Sequence, residues 1–230
     1  MKKLAQLFGL TFALAAFAAA NEPPPQPVTD SRPVLQELQR KMSSVNSIYL
    51  EFTQERQLKL FSEPLKSEGV MLIERPDKIR WETTAPYQTI LLGDQKSIAQ
   101  FEFNAGKWDK LKLGFPQLLQ RVMRQMSAMN QGDLEAMTAD YKISVSTNSE
   151  IILTMVPKDE SVRGVLSSLE IHLPPDLSAT REVVMNEPNG DLTRILFQNE
   201  KRGVPFPPGT FDQAKPLEIS AVKAAVKNAP

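Results

Sequence analysis

From residue 48 onward, apolar and polar positions alternate along most of the chain. Ile48, Leu50 and Phe52 are interleaved with Tyr49, Glu51 and Thr53. Val70, Met71, Leu72 and Ile73 then run into Arg75-Pro76, where a residue without an amide hydrogen cannot continue a strand ladder. Ile79, Trp81 and Thr83 follow, against Lys78, Arg80 and Glu82, an alternation that predicts one dry face and one wet face. The spacing predicts three short consecutive antiparallel strands. Segments of the same kind cover residues 88–94, 97–103, 141–147, 150–157, 164–174, 180–188 and 191–199, so the body reads as a meander of about ten strands. Asn189-Gly190 marks a hairpin between the last two, because that pair takes the two positive φ values of a type I′ turn at little cost.

Two stretches follow the helical period instead. Leu35, Leu38, Met42 and Val45 recur every three to four residues from Pro33, with Gln36, Glu37, Arg40 and Lys41 on the other side; such an amphipathic helix must cover something apolar. Residues 115–137 place Leu118, Leu119, Val122, Met123, Met126 and Met129 at helical spacing up to a break near Gly132. Methionine is unbranched and polarisable, so this face suits partners of variable shape or fills ordinary core gaps. A sheet with one helix at its start and another inserted in its middle predicts a curved sheet closed by helices over an apolar interior.

The ends of the chain change the compartment. Residues 1–20, MKKLAQLFGLTFALAAFAAA, put two lysines before an apolar run ending in small residues, the pattern of a cleaved secretory signal peptide. Residues 21–32 are Pro-rich and polar and read as a linker. The body spans 33–212, and residues 213–230 form a tail, a mobile end or short helix to which no function is assigned. The chain has no cysteine, which excludes disulfides, a Cys-based metal site and acylation at the cleavage point. Without Lys2 and Lys3 the formal charge falls from 0 to −2, which argues against a nucleic-acid partner. A soluble exported monomer is the expectation.

Candidate chemistry is sparse. The one histidine, His172, sits in the strand LEIHLPP, where a structural role is the ordinary one. The sequence has no G-x-S-x-G elbow, Gly-rich phosphate loop or H-E-x-x-H, and Asp159-Glu160 lies in a turn-like, solvated stretch. Neither an enzyme nor a cofactor or metal site is expected.

The stretch FTQER at 52–56 and SEGVMLIERPDKIRWETTAPYQTILLGD at 67–94 resembles the LolA family of periplasmic lipoprotein carriers. Phe52, Gln54, Gly69, Arg75, Pro76, Trp81, Pro86 and Asp94 match that family's pattern in order and spacing. Downstream, NEPNGDLTRILFQN and PFPPGTF look like its closing hairpin and final strand, so the resemblance covers roughly residues 34–212. The chain departs from the pattern at Gln95, where the family has a glycine, and in an aromatic cluster reduced to Phe101 and Phe103.

The resemblance implies an incomplete, strongly curved antiparallel β-barrel of about eleven strands, with helices as a lid over a hydrophobic cavity. It implies that Arg75, followed by the strand-ending Pro76, latches the lid through hydrogen bonds to lid backbone. The residues expected to line the cavity are Leu50, Phe52, Met71, Ile73, Ile79, Trp81, Ile90, Leu92 and Phe101, with Leu119, Met123 and Met126 from the inserted helix; Trp81 reads equally as an ordinary core residue. The implied function is binding without turnover: shielding the acyl chains of lipoproteins between an inner-membrane release complex and an outer-membrane acceptor. At roughly 0.8 kcal/mol per methylene, a chain of about sixteen carbons gains about 13 kcal/mol on leaving water, so it cannot cross an aqueous compartment unshielded. A shuttle for another lipid or glycolipid, a lipoprotein-sensing domain and a lipid hydrolase using His172 are the alternatives.

Overall fold

The structure, a computed structural model, describes residues 24–94, 96–113 and 133–228. These residues form one twelve-stranded antiparallel sheet. In chain order its strands are β1 (Gln26–Pro27), β2 (Ser47–Gln57), β3 (Leu65–Glu74), β4 (Lys78–Ala85), β5 (Thr89–Gly93), β6 (Ile98–Asn104), β7 (Lys107–Leu111), β8 (Tyr141–Thr147), β9 (Ile151–Pro157), β10 (Ser168–Leu173), β11 (Glu182–Asn186) and β12 (Leu192–Arg202). The spatial order is β1-β8-β9-β10-β11-β12-β2-β3-β4-β5-β6-β7. The sheet is thus two meanders joined where β12 pairs with β2, curved and open at β1 and β7.

Four helices are described: α1 (Arg32–Ser43), α2 (Leu134–Asp140), α3 (Glu160–Arg163) and α4 (Ile219–Lys227). Pro33 opens α1, where its missing amide hydrogen costs nothing. Leu35 of α1 and Met137 of α2 are buried against Val145, Leu153, Met155, Ile171 and Leu173, so both helices lie on the concave face of β8–β10. Asp133 caps α2 by accepting from the Ala136 amide at 3.0 Å.

The convex face departs from the expected wet face. Arg80 is 0% exposed and Glu82 is 2% exposed. The chain after β12 folds back over this side, so Val204, Val222 and Val226 close over Tyr49, Val70 and Leu72. Residues 213–228 are therefore part of the fold, and α4 is the cover. This explains why Val70, Met71, Leu72 and Ile73 form an unbroken apolar run: both faces of β3 are buried there.

Residues 26–28 of the Pro-rich segment are also tied down. Gln26 and Pro27 pair with Thr147 and Ser146, and the Val28 amide donates to the Val145 carbonyl at 2.9 Å.

The tight two-residue hairpin turn lies elsewhere than expected. Ala105 and Gly106 both have positive φ and join β6 to β7, a strand the alternation did not reveal. Between β11 and β12, Gly190 takes a positive φ and Asn189 does not; the Gly190 amide donates instead to the Glu187 carbonyl at 2.9 Å. The hairpin is there, with a wider turn.

Candidate functional site

The concave face holds an apolar cavity of about 300 Å³, at the small end of the range for ligand sites. Its floor comes from both meanders: Ile48, Leu50, Met71, Ile73, Trp81 and Leu91 on one side of the β12–β2 junction, Leu153, Ile171, Val183 and Met185 on the other, with Ile195 and Phe197 between. Leu38 and Met42 of α1 and Met137 of α2 form its roof.

The wall around Trp81 follows from strand register. Antiparallel partners share a face, and Phe52 lies opposite Gly69, Met71 opposite Trp81, and Trp81 opposite Leu91. Gly69 has no side chain, which leaves room for the Phe52 ring. A Cβ at Gly69 would sit 1.9 Å from the Glu82 carbonyl oxygen and 2.7 Å from Phe52 Cζ. Phe52, 1% exposed, can thus lie under Trp81 with ring centroids 4.7 Å apart. The indole is held from below and presents its outer surface to the cavity.

Arg75 sits just beyond the end of β3. Its Nη2 donates to the Met42 carbonyl in the last turn of α1 at 2.6 Å, and its main-chain amide donates to the Asn46 carbonyl at 2.8 Å. The last four carbonyls of a helix lack intrahelical donors, so the guanidinium completes the α1 terminus while tying it to the sheet. Burial lowers the pKa of this guanidinium from its ordinary value; the charge-assisted bond to Met42 offsets that desolvation. Pro76 follows Arg75 through a cis peptide bond.

The nine expected lining residues that are described divide into three groups. Leu50, Met71, Ile73 and Trp81 lie on the cavity wall, and Phe52 and Ile79 are packed in the layer beneath it. Ile90, Leu92 and Phe101 do not face the cavity. Their ladder partners are Glu82, Arg80 and Ile90 respectively, which places them on the convex side in a separate cluster with Ala99 under Trp108. Three consecutive apolar residues, Ile90-Leu91-Leu92, hid the phase of β5, and Leu91 is the one turned inward. Leu119, Met123 and Met126 lie outside the described residues.

The alternation did not reveal the polar part of the wall. Gln54, Thr180, Glu200 and Arg202 reach the same cavity. Glu200 and Arg202 owe their place to a register shift in β12 between Gln198 and Lys201, which sequence periodicity does not reveal.

His172 lies on the opposite face, its Nδ1 2.7 Å from Glu150 Oε1, so the cavity holds no imidazole base. Among the described residues no cluster of three or more His, Asp or Glu side chains is arranged to hold a metal ion. No described helix is long and apolar enough to cross a membrane. The arrangement can enclose an apolar ligand beneath a helical roof.

Residues 43–214 match the family model described as "Outer membrane lipoprotein carrier protein LolA". The outer-membrane lipoprotein carrier protein of Chromobacterium violaceum is 26% identical over 169 residues, 68% of this chain and 72% of that protein. Its counterpart in Methylococcus capsulatus is 25% identical over 180 residues, 77% and 82% of the two chains. Among solved structures, a LolA superfamily protein from Nitrosomonas europaea aligns with a TM-score of 0.43 at 11% identity, over 81% of this chain and 99% of that one.

Proposed function

The chain belongs to the LolA family of outer membrane lipoprotein carrier proteins, and we propose that it carries acylated lipoproteins through the periplasm by holding their acyl chains in the concave cavity. The observation that carries this reading is an almost wholly apolar cavity roofed by a helix whose last turn is tied to the residue after β3 by a side-chain bond, Arg75 Nη2 to the Met42 carbonyl. Apolar walls supply non-directional affinity for hydrocarbon. A roof held by side-chain packing and a few polar bonds, rather than by strand pairing, can open without unfolding the sheet.

The cycle is binding and release, with no covalent step. Acyl chains displace the roof and pack against Leu50, Met71 and Trp81, and delivery restores the Arg75 tie. The closed empty state thus helps to drive release, because a ligand is retained only by the difference in free energy between the two states. In this reading the donor is an inner-membrane release complex and the acceptor an outer-membrane receptor, and the protein reaches the periplasm through the signal sequence at 1–20.

The test is native mass spectrometry of protein purified from the periplasm without detergent, followed by lipid extraction. Recovery of acylated lipoprotein is expected. A bound lipid of another class reassigns the cargo, and failure to take up any acylated lipoprotein from membrane vesicles overturns the carrier reading.

A further inference from the structure

The end of β12 breaks the pattern of the cavity wall. Up to Phe197 the odd-numbered residues face inward, with Ile195 opposite Gln54 and Phe197 opposite Phe52. After the register shift, Arg202 lies opposite Ile48 and Lys201 opposite Tyr49, so the even-numbered residues now face inward. Asn199, at φ 54°, marks the irregularity. Lys201 consequently points to the convex side, where its Nζ donates to the Val226 carbonyl at 3.0 Å. Glu200 and Arg202 are turned into a largely apolar cavity. A bulge is a standard way to re-aim side chains, and here it delivers a charged pair to greasy surroundings, which is costly unless the pair is satisfied.

The pair is not fully satisfied. Arg202 Nε donates to Glu200 Oε1, but Arg202 Nη2 is shielded from solvent and has no hydrogen-bond partner among the described residues. The Glu200 carboxylate balances the guanidinium charge and sits beside any group that reaches Nη2, so an incoming anion meets repulsion. A neutral oxygen acceptor does not.

We infer that Arg202 is a headgroup subsite: it donates from Nη2 to the neutral ester or amide carbonyl at the head of an acyl chain seated in the cavity. This rests on the carrier reading and adds to it a preference for acylated cargo over plain hydrocarbon. Glu200 is the positioning residue that fixes the guanidinium plane and neutralises it.

The test compares 1-hexadecanoylglycerol with 1-hexadecylglycerol, an ester and an ether differing only in the carbonyl, by displacement of a fluorescent long-chain probe from the wild-type protein. Ester binding roughly five- to thirty-fold tighter than ether binding is expected for one hydrogen bond to an otherwise unsatisfied buried donor. In R202L and E200Q/R202L that ratio falls to about one. Equal ester and ether affinities in the wild type overturn the subsite and leave the carrier reading standing. If neither lipid nor any lipoprotein binds, the carrier reading falls and the subsite with it. Hexadecanoate binding tighter than the ester overturns the assignment of a neutral acceptor.

Discussion

The buried pair on the convex face permits a sharp test of what holds the C-terminal cover in place. Arg80 donates from Nε and Nη2 to Glu82 Oε2 at 2.8 and 2.5 Å, from Nη1 to the Thr210 carbonyl at 2.8 Å and from Nη2 to the Leu217 carbonyl at 2.6 Å. One side chain thus joins β4 to two points of the segment leading into α4. Replacing Arg80 by methionine leaves a carboxyl that is 2% exposed without its counter-charge and two carbonyls without a donor. Breaking one half of such a pair costs about 3–5 kcal/mol. For a chain of this size that is a fall in Tm of roughly 6–20 °C. In the double variant R80M/E82L the stranded carboxyl is gone, only the two carbonyls lose a partner, and the expected cost falls to about 1–3 kcal/mol. Urea denaturation of the wild type and the two variants measures both numbers, with lipid-probe binding as a control, since the pair faces away from the cavity. A single variant no less stable than the double variant refutes the idea that the ion pair anchors the cover.

Four further outcomes are expected. Arg75→Leu removes a charge-assisted bond of about 1.5–3 kcal/mol from the roof, so the variant takes up lipid but delivers it poorly; normal transfer to acceptor vesicles removes the latch from the mechanism. Gly69→Ala forces a Cβ to 1.9 Å from the Glu82 carbonyl, and a loss of more than about 3 kcal/mol in chemical denaturation is expected; wild-type stability refutes the close approach. Trp81→Ala weakens binding of a long-chain lipid roughly tenfold by removing apolar wall area, measurable by probe displacement; unchanged affinity places the ligand elsewhere. Burial raises the pKa of the Glu82 carboxyl above its ordinary 4.5, despite the Arg80 charge beside it. The folded state then holds this proton more tightly than the unfolded one, so the contribution is fully present below about pH 4.5 and is lost as pH rises through the raised value. Glu82→Gln flattens that slope in denaturation curves, and an unchanged slope assigns it to other groups.

Much of the site was legible along the chain because strand alternation is local. With Trp81 inward, two-residue steps place Ile79 on the same face, and antiparallel pairing adds Met71 and Leu50. Arg75 was expected from the family resemblance to bond lid backbone; that its acceptor is the Met42 carbonyl at the end of α1 came from the structure. Ile90 and Leu92 show where this fails: in an unbroken apolar run either phase fits, and only pairing with Trp81 selects Leu91.

The sequence by itself determined the meander, the amphipathic α1 and the lack of a recognisable catalytic motif. Each is set by neighbours two to four residues apart, or by the conformational limits of single residues. The tertiary structure alone decided that Arg80 and Glu82 are dry, because the residues that cover them lie more than a hundred positions away. It alone decided that Glu200 and Arg202 enter the cavity, since one register shift in β12 reverses the parity of every residue beyond it. Periodicity defines two faces of a sheet; what covers each face, and where the faces exchange, depends on pairing across the whole chain.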